Sequence, residues 1–172
     1  MGHLMTPFGA VLRGMVAGAV GTVAMDGVRY ARQPQPEQAP GFVAWEKGEQ
    51  VSGWEDAPAF AQVGKRTAEG LLQRELPDSD ARLMRNAVHW GTGVPYGAAY
   101  GILAGSLRKP RPIYGVLLGL AVWALPHVAL APTGLYEPIS DLDRQELQTD
   151  LGAHLAYGLA TALVFRLLAG GR

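Results

Sequence analysis

Two stretches of this chain, 87–107 and 113–130, contain no charged residue. A helix on the surface of a water-soluble protein needs a polar face at helical period. Neither stretch offers one, whichever way the helix is turned. Two further segments are nearly as apolar: 8–30, broken by Arg13 and Asp26, and 151–168, with Arg166 near its end. Crossing a bilayer core takes about 20 apolar residues at about 1.5 Å each. All four segments reach that range, 113–130 and 151–168 narrowly. The alternative, a soluble bundle of four apolar helices, lacks the polar faces it needs. The sequence therefore reads as an all-α integral membrane four-helix bundle in a single domain. Its spans are 8–30, 84–107, 113–131 and 147–169, and a long connection covers 31–83.

Composition agrees. Hydrophobic residues make up 48% of the 172 and charged residues 17%, against about 25% charged in an ordinary soluble domain. Fifteen Lys+Arg balance fifteen Asp+Glu, so no nucleic-acid partner is expected. There is no cysteine, which excludes disulfides, thiolate ligands, covalent haem attachment and a cysteine nucleophile. No basic region precedes the apolar part of "MGHLMTPFGAVLRG", and no small-residue cleavage site is evident, so the first span is expected to be retained. Tyr30, Trp90, Tyr114 and Tyr136 fall near segment ends, where interfacial aromatics belong; Trp123 lies further in.

Asp78, after Pro77, is placed to cap the second helix. Ser140 with Asp143 resembles a capping box for the fourth. The turn "RKPRP" is short and basic, and implies a tight hairpin of the second and third helices. The long connection opens with the extended, proline-rich "RQPQPEQAPGF" and carries Trp45 and Trp54. A helix is expected over 57–76, with Phe60, Val63 and Leu71 on one face. Its mixed charges, Glu69, Arg74 and Glu75, favour a cap over the bundle rather than a surface helix on anionic lipid.

Four spans place both termini on one side. Arg13, Arg108, Lys109, Arg111, Arg166 and Arg172 lie on that side, and Arg29, Arg32, Arg82, Arg85 and Arg144 near the span ends on the other. All fifteen acids, Asp26 included, fall on the second side. The basic bias makes both termini cytoplasmic, with Arg13 and Arg166 snorkelling to that surface.

Histidines are few. His3 is terminal. His89, His127 and His154 lie near the ends of the second, third and fourth spans, and Asp26 near the end of the first. Alternating helix direction brings these four residues to one end of the bundle, each within about 3–6 Å of a segment boundary. Glu137 can reach this layer from its loop. Intramembrane ionisable groups usually face the interior and mark a site. Imidazole and carboxylate also suit zinc-like metals, but no pair has the spacing of an HExxH motif. The plainer alternative is that these histidines hydrogen-bond headgroups, water or a neighbouring helix. No GxSxG elbow, phosphate loop or dinucleotide fingerprint appears, so no enzyme activity is expected.

"GTGVPYGAAYGILAG" sets Gly93, Gly97, Gly101 and Gly105 four apart around Pro95. In lipid the helix is enforced, and glycine lets another helix approach closely. The candidate partners are Gly14/Gly18, Gly115/Gly119 or a second copy. Pro95 removes the hydrogen bond to the Gly91 carbonyl and marks a place for a kink. A faint repeat aligns Gly14 with Gly115, Gly18 with Gly119, Asp26 with His127 and Tyr100 with Tyr157.

"RGMVAGAVGTVAMD", "AVHWGTGVPYGAAYGIL", "LPHVALAPTGLYEP" and "LGAHLAYGLATALVF", with the long acidic connection, resemble a group of small uncharacterised four-span bacterial inner-membrane proteins, the YagU-like family. The resemblance implies a bacterial inner-membrane location and a link to stress or acid tolerance, and it carries over no catalytic residue. Three readings of function follow. The first is an accessory or scaffold subunit packing through its glycine faces, with itself or with a larger membrane complex. The second is a small transporter or binding protein using Asp26, His89, His127 and His154, with Glu137, for a proton, metal ion or small polar ligand. The last is a haem- or quinone-linked redox protein.

Overall fold

A computed structural model describes residues 5–34, 39–107, 111 and 113–170. His3, Arg108, Lys109 and Arg172 lie outside the described residues, as does most of the "RKPRP" turn. The elements are α1 (Pro7–Arg32), α2 (Phe42–Glu46), α3 (Ala59–Leu72), α4 (Ala81–Gly105), α5 (Ile113–Ala129) and α6 (Arg144–Leu168). Short 3-10 turns occupy Asp78–Asp80 and Ala131–Thr133, and there is no strand among the described residues.

Among the described residues, three helical stretches are long and apolar enough to cross a membrane: Pro7–Arg32, Ile113–Thr133 and Arg144–Leu168. α4 has 25 residues but is not among them. Glycine, tyrosine, tryptophan and histidine fill much of it. Such residues are uncharged without being strongly apolar, so freedom from charge overstates its hydropathy.

The packing is that of a chain turned toward lipid. Many inward positions hold small or polar residues, among them Ala17, Thr22, Asp26, Ala153 and Thr161, beside the larger Tyr100, Tyr157 and Phe165. Leu12, Val16, Val20, Leu117, Leu163 and Leu167 point outward. With lipid outside there is no hydrophobic gain from burying leucine, so close backbone packing and polar contacts hold helices together.

α1 lies between α4 and α6, and α5 packs along α6. The tight hairpin expected of the second and third helices does not form: α4 and α5 scarcely touch. Each has a better surface elsewhere. A Cβ on Gly18 would lie 2.7 Å from the Gly93 carbonyl oxygen and 2.8 Å from Gly97 Cα, and one on Gly101 2.9 Å from Gly14 Cα. α4 therefore seats its glycines on Gly14 and Gly18 of α1. A Cβ on Gly158 would lie 3.0 Å from Gly119 Cα, and one on Gly115 2.6 Å from the Gly158 oxygen, so the Gly115/Gly119 face meets α6. Gly105 rests more loosely, against the Ala10 methyl. α4 continues as one helix through Pro95.

Two expected caps are corrected. Asp78 opens the 3-10 turn, and Asp80 precedes α4 without a side-chain capping bond. Asp143, not Ser140, caps α6, accepting from the Glu146 backbone N–H at 2.8 Å, while the Ser140 hydroxyl turns to Asp141. Arg13 donates from Nε to the Leu168 carbonyl at 3.0 Å, closing the end of α6.

The connection folds over the bundle. α3 is shorter than the expected 57–76, because Pro58 precedes it and Gln73 ends it in the left-handed region (φ 54). α3 packs on α4, where Gly64 meets Met84 and Val88. Leu71 falls eleven residues after Phe60 on the same helix, in the last turn before Gln73, and stands 80% exposed. Trp54 is buried with Val51, Leu76 and Ala81 and donates its indole N–H to the Leu76 carbonyl at 3.1 Å. Tyr30 anchors α2 through Phe42 and Trp45.

Candidate functional site

Asp26 lies on α1 in line with Gly14, Gly18 and Thr22, each four residues apart. On α4, His89 lies four residues before Gly93. The close approach at the glycines carries on into this rung and brings the two side chains together. His89 Nε2 lies 2.7 Å from Asp26 Oδ2. Asp26 is 1% exposed and His89 5%. The Phe60 ring stacks on the imidazole at 5.4 Å. Asp26 Oδ1 is buried and has no hydrogen-bond partner among the described residues.

His127 and His154 belong to a second group. Its centre is Asp150, one of the fifteen acids on the second side. Asp150 pairs with Arg29 at 2.7 Å. Its Oδ2 lies 3.8 Å from His127 Nε2, and its Oδ1 3.5 Å from His154 Nδ1. His154 Nδ1 also reaches the Asp150 carbonyl at 2.8 Å. A carbonyl only accepts, so Nδ1 carries the proton. By the same argument His127 Nδ1–H donates to the Glu137 carbonyl at 2.7 Å. Glu137 thus joins the layer through its backbone, with its side chain exposed. The expected single layer is two neighbouring groups, one closed and one half-open.

Both groups border a cavity of about 370 Å³ between the bundle and the folded connection. Asp26, Arg29, Arg85, His127, Glu137 and Asp150 line it, joined by Trp45, Phe60 and Tyr136. Arg85, unremarked as a site residue in the sequence, is buried. It donates to the Glu46 carbonyl and to Asn86 Oδ1, with its guanidinium 5.7 Å from the centre of the Trp45 ring. Burial, with the nearby Asp150 charge, holds the Tyr136 phenol above its ordinary pKa, so it stays neutral. A second cavity of about 350 Å³ opens between α4 and α5 and shares Arg29, Phe60 and Tyr136 with the first. Among the described residues no three His, Asp or Glu side chains group closely enough to hold a metal ion.

Protein-family models, curated proteins and solved structures give no match to this chain. The chemistry of these two groups is left to carry the functional reading.

Signals for the missed residues were present. Asp150 stands four before His154 and Arg29 three after Asp26, so each shares a helix face with a residue already singled out. The prominence of the histidines hid them.

Proposed function

We propose that this chain is a four-span membrane protein that holds a small polar ligand in the cavity between its bundle and its folded connection. One observation carries the reading. A buried carboxylate, Asp26, keeps one oxygen unpartnered on the wall of a cavity of about 370 Å³. Buried polar atoms are nearly always hydrogen-bonded, and an unmade bond is costly. A ligand that supplies the missing donor removes that cost. The glycine faces of α4 and α5 are taken up by α1 and α6, which favours this reading over an accessory subunit docking through them.

α4 is the fourth span in this proposal. It runs along α1, itself apolar enough to cross, and its outward Ile102 and Leu103 are exposed. Both termini are then cytoplasmic and the cavity opens on the opposite side, in the inner membrane of a bacterium, as the resemblance to the YagU-like group implies. Reporter fusions at each end and within 31–83 test the topology: termini on opposite sides would remove α4 as a span.

Native mass spectrometry of protein purified from its own membranes tests the ligand. A small-molecule adduct present in the native chain and absent in Asp26→Asn supports the proposal. A stoichiometric protein partner with no adduct would restore the accessory reading.

A further inference from the structure

We infer that the ligand of this cavity is a small organic cation bearing primary ammonium groups; the inference rests on the ligand-holding reading above. The charges on the wall set the sign. Asp26, Asp56, Glu137, Glu146 and Asp150 line the cavity. Arg29 and Arg85 are its guanidiniums, so five carboxylates face two guanidiniums and the wall is acidic even with His89 against Asp26.

Both cations are engaged. Arg29 is held by Asp150 at 2.7 Å. Arg85 is spent on the Glu46 carbonyl and on Asn86. Neither supplies the bond that Asp26 Oδ1 lacks. Asp26 is nearly sealed from water, where an unpaired carboxylate oxygen is costly and a charged donor worth most.

The donor type follows from the rest of the wall. A metal ion wants several carboxylate or imidazole ligands converging on one point. Among the described residues no such group of three exists. The acids are spread around the cavity instead, among the rings of Trp45, Phe60 and Tyr136. Dispersed carboxylates with aromatic faces suit an extended organic cation, whose ammonium groups donate N–H bonds and whose charge is attracted to ring faces. The wall already shows this chemistry, with Arg85 above Trp45. One ammonium completes Asp26, and a second reaches toward Glu137 and Glu146 at the exposed rim.

The test titrates the full chain in detergent with 1,4-diaminobutane and follows tryptophan fluorescence, because Trp45 lines the cavity. Tetramethylammonium, glycerol, acetate and magnesium ion form the comparison set. Saturable binding of the diamine is expected, with tetramethylammonium weaker for want of N–H donors. Asp26→Asn should weaken the diamine by at least about tenfold. Should Asp26→Asn fail to fold, Glu146→Gln serves. That side chain is exposed, and its backbone N–H keeps the bond to Asp143. It should weaken the diamine about two- to fivefold at low salt, and less at high salt.

Equal binding of tetramethylammonium, or preference for magnesium, acetate or glycerol, overturns the ammonium assignment. If that preferred probe responds to either variant, the ligand-holding reading stands. Binding of no probe, with an adduct in native mass spectrometry, overturns the ammonium class alone. Binding of no probe and no adduct overturns both.

Discussion

Along α1, Gly14, Gly18, Thr22 and Asp26 follow at intervals of four and meet Gly101, Gly97, Gly93 and His89 of α4. Along α5, Gly115, Gly119, Trp123 and His127 keep the same interval. α6 runs the other way with Gly158, His154, Asp150 and Glu146, and Gly115 meets Gly158 while Gly119 meets the His154 backbone. This is the register of the faint repeat that matched Gly14 with Gly115 and Asp26 with His127. The two seams diverge past their glycines. The first stays narrow through Thr22, fully buried, and ends in a sealed Asp–His pair. In the second, Trp123 takes the place of threonine, with its buried indole N–H unpartnered among the described residues. It ends in a group whose centre, Asp150, keeps its side chain 27% exposed. One pattern of packing thus builds a lock in one seam and an open mouth in the other.

Breaking the lock should have the largest effect. Gly97→Leu must force a side chain between two backbones, since even a Cβ there would lie 2.7 Å from the Gly18 nitrogen. Overpacking of this kind costs about 3 kcal/mol or more, and no monodisperse folded protein is expected by gel filtration. Gly105→Ala on the same face should fold normally, because its Cβ would meet a side-chain methyl at 3.1 Å. The polar rung comes next. His89→Ala strands Asp26, and removing one member of a buried pair costs about 3 kcal/mol. His154→Ala leaves Asp150 its arginine and should cost about 1 kcal/mol or less. Thermal unfolding in detergent ranks the two, and equal losses would erase the distinction between the groups. Tyr157→Phe is smaller. It removes the buried 2.6 Å bond from the tyrosine hydroxyl to the Gly93 carbonyl, which links α6 to α4. Within a bilayer such bonds average about 0.6 kcal/mol, so a shift of a few degrees in the unfolding midpoint is expected.

How much of this was legible in the sequence depends on the range of the interaction. Helix positions were legible from charge alone, because a charge-free stretch has few ways to be stable in water. The interval of four along α4 was legible too, and so was the arrival of Asp26 and His89 at one end, since both follow from helical geometry. Which glycines meet was not. Gly97 chose α1 over the sequence neighbour α5, and nothing local to either helix records that choice. The division of the ionisable residues was equally hidden. It depends on Asp150, which looks from the sequence like a solvated acid in the first turns of α6. Only when α1 lies beside α6 does Arg29 reach it. The cavity was least legible of all, because its wall combines α1, α4, the loop before α6 and the folded connection.

The smallest effect is the most discriminating between the two seams. Arg29 and Asp150 lie 2.7 Å apart with side chains 24% and 27% exposed. A pair this open is worth about 0.5–1 kcal/mol and is weakened by salt. The Asp26–His89 pair, 1% and 5% exposed, is shielded from bulk salt, and Asp26 borders only the cavity. Arg29→Gln should therefore lower the unfolding midpoint slightly at low ionic strength. At about 1 M salt, where the screening length falls to about 3 Å, that loss should nearly vanish. His89→Gln should show a larger loss that salt leaves unchanged. Measuring both variants at both ionic strengths asks whether one end of the bundle is closed and the other open. A salt-sensitive His89→Gln would mean that the pair is open to bulk salt, and the lock would then be a second mouth.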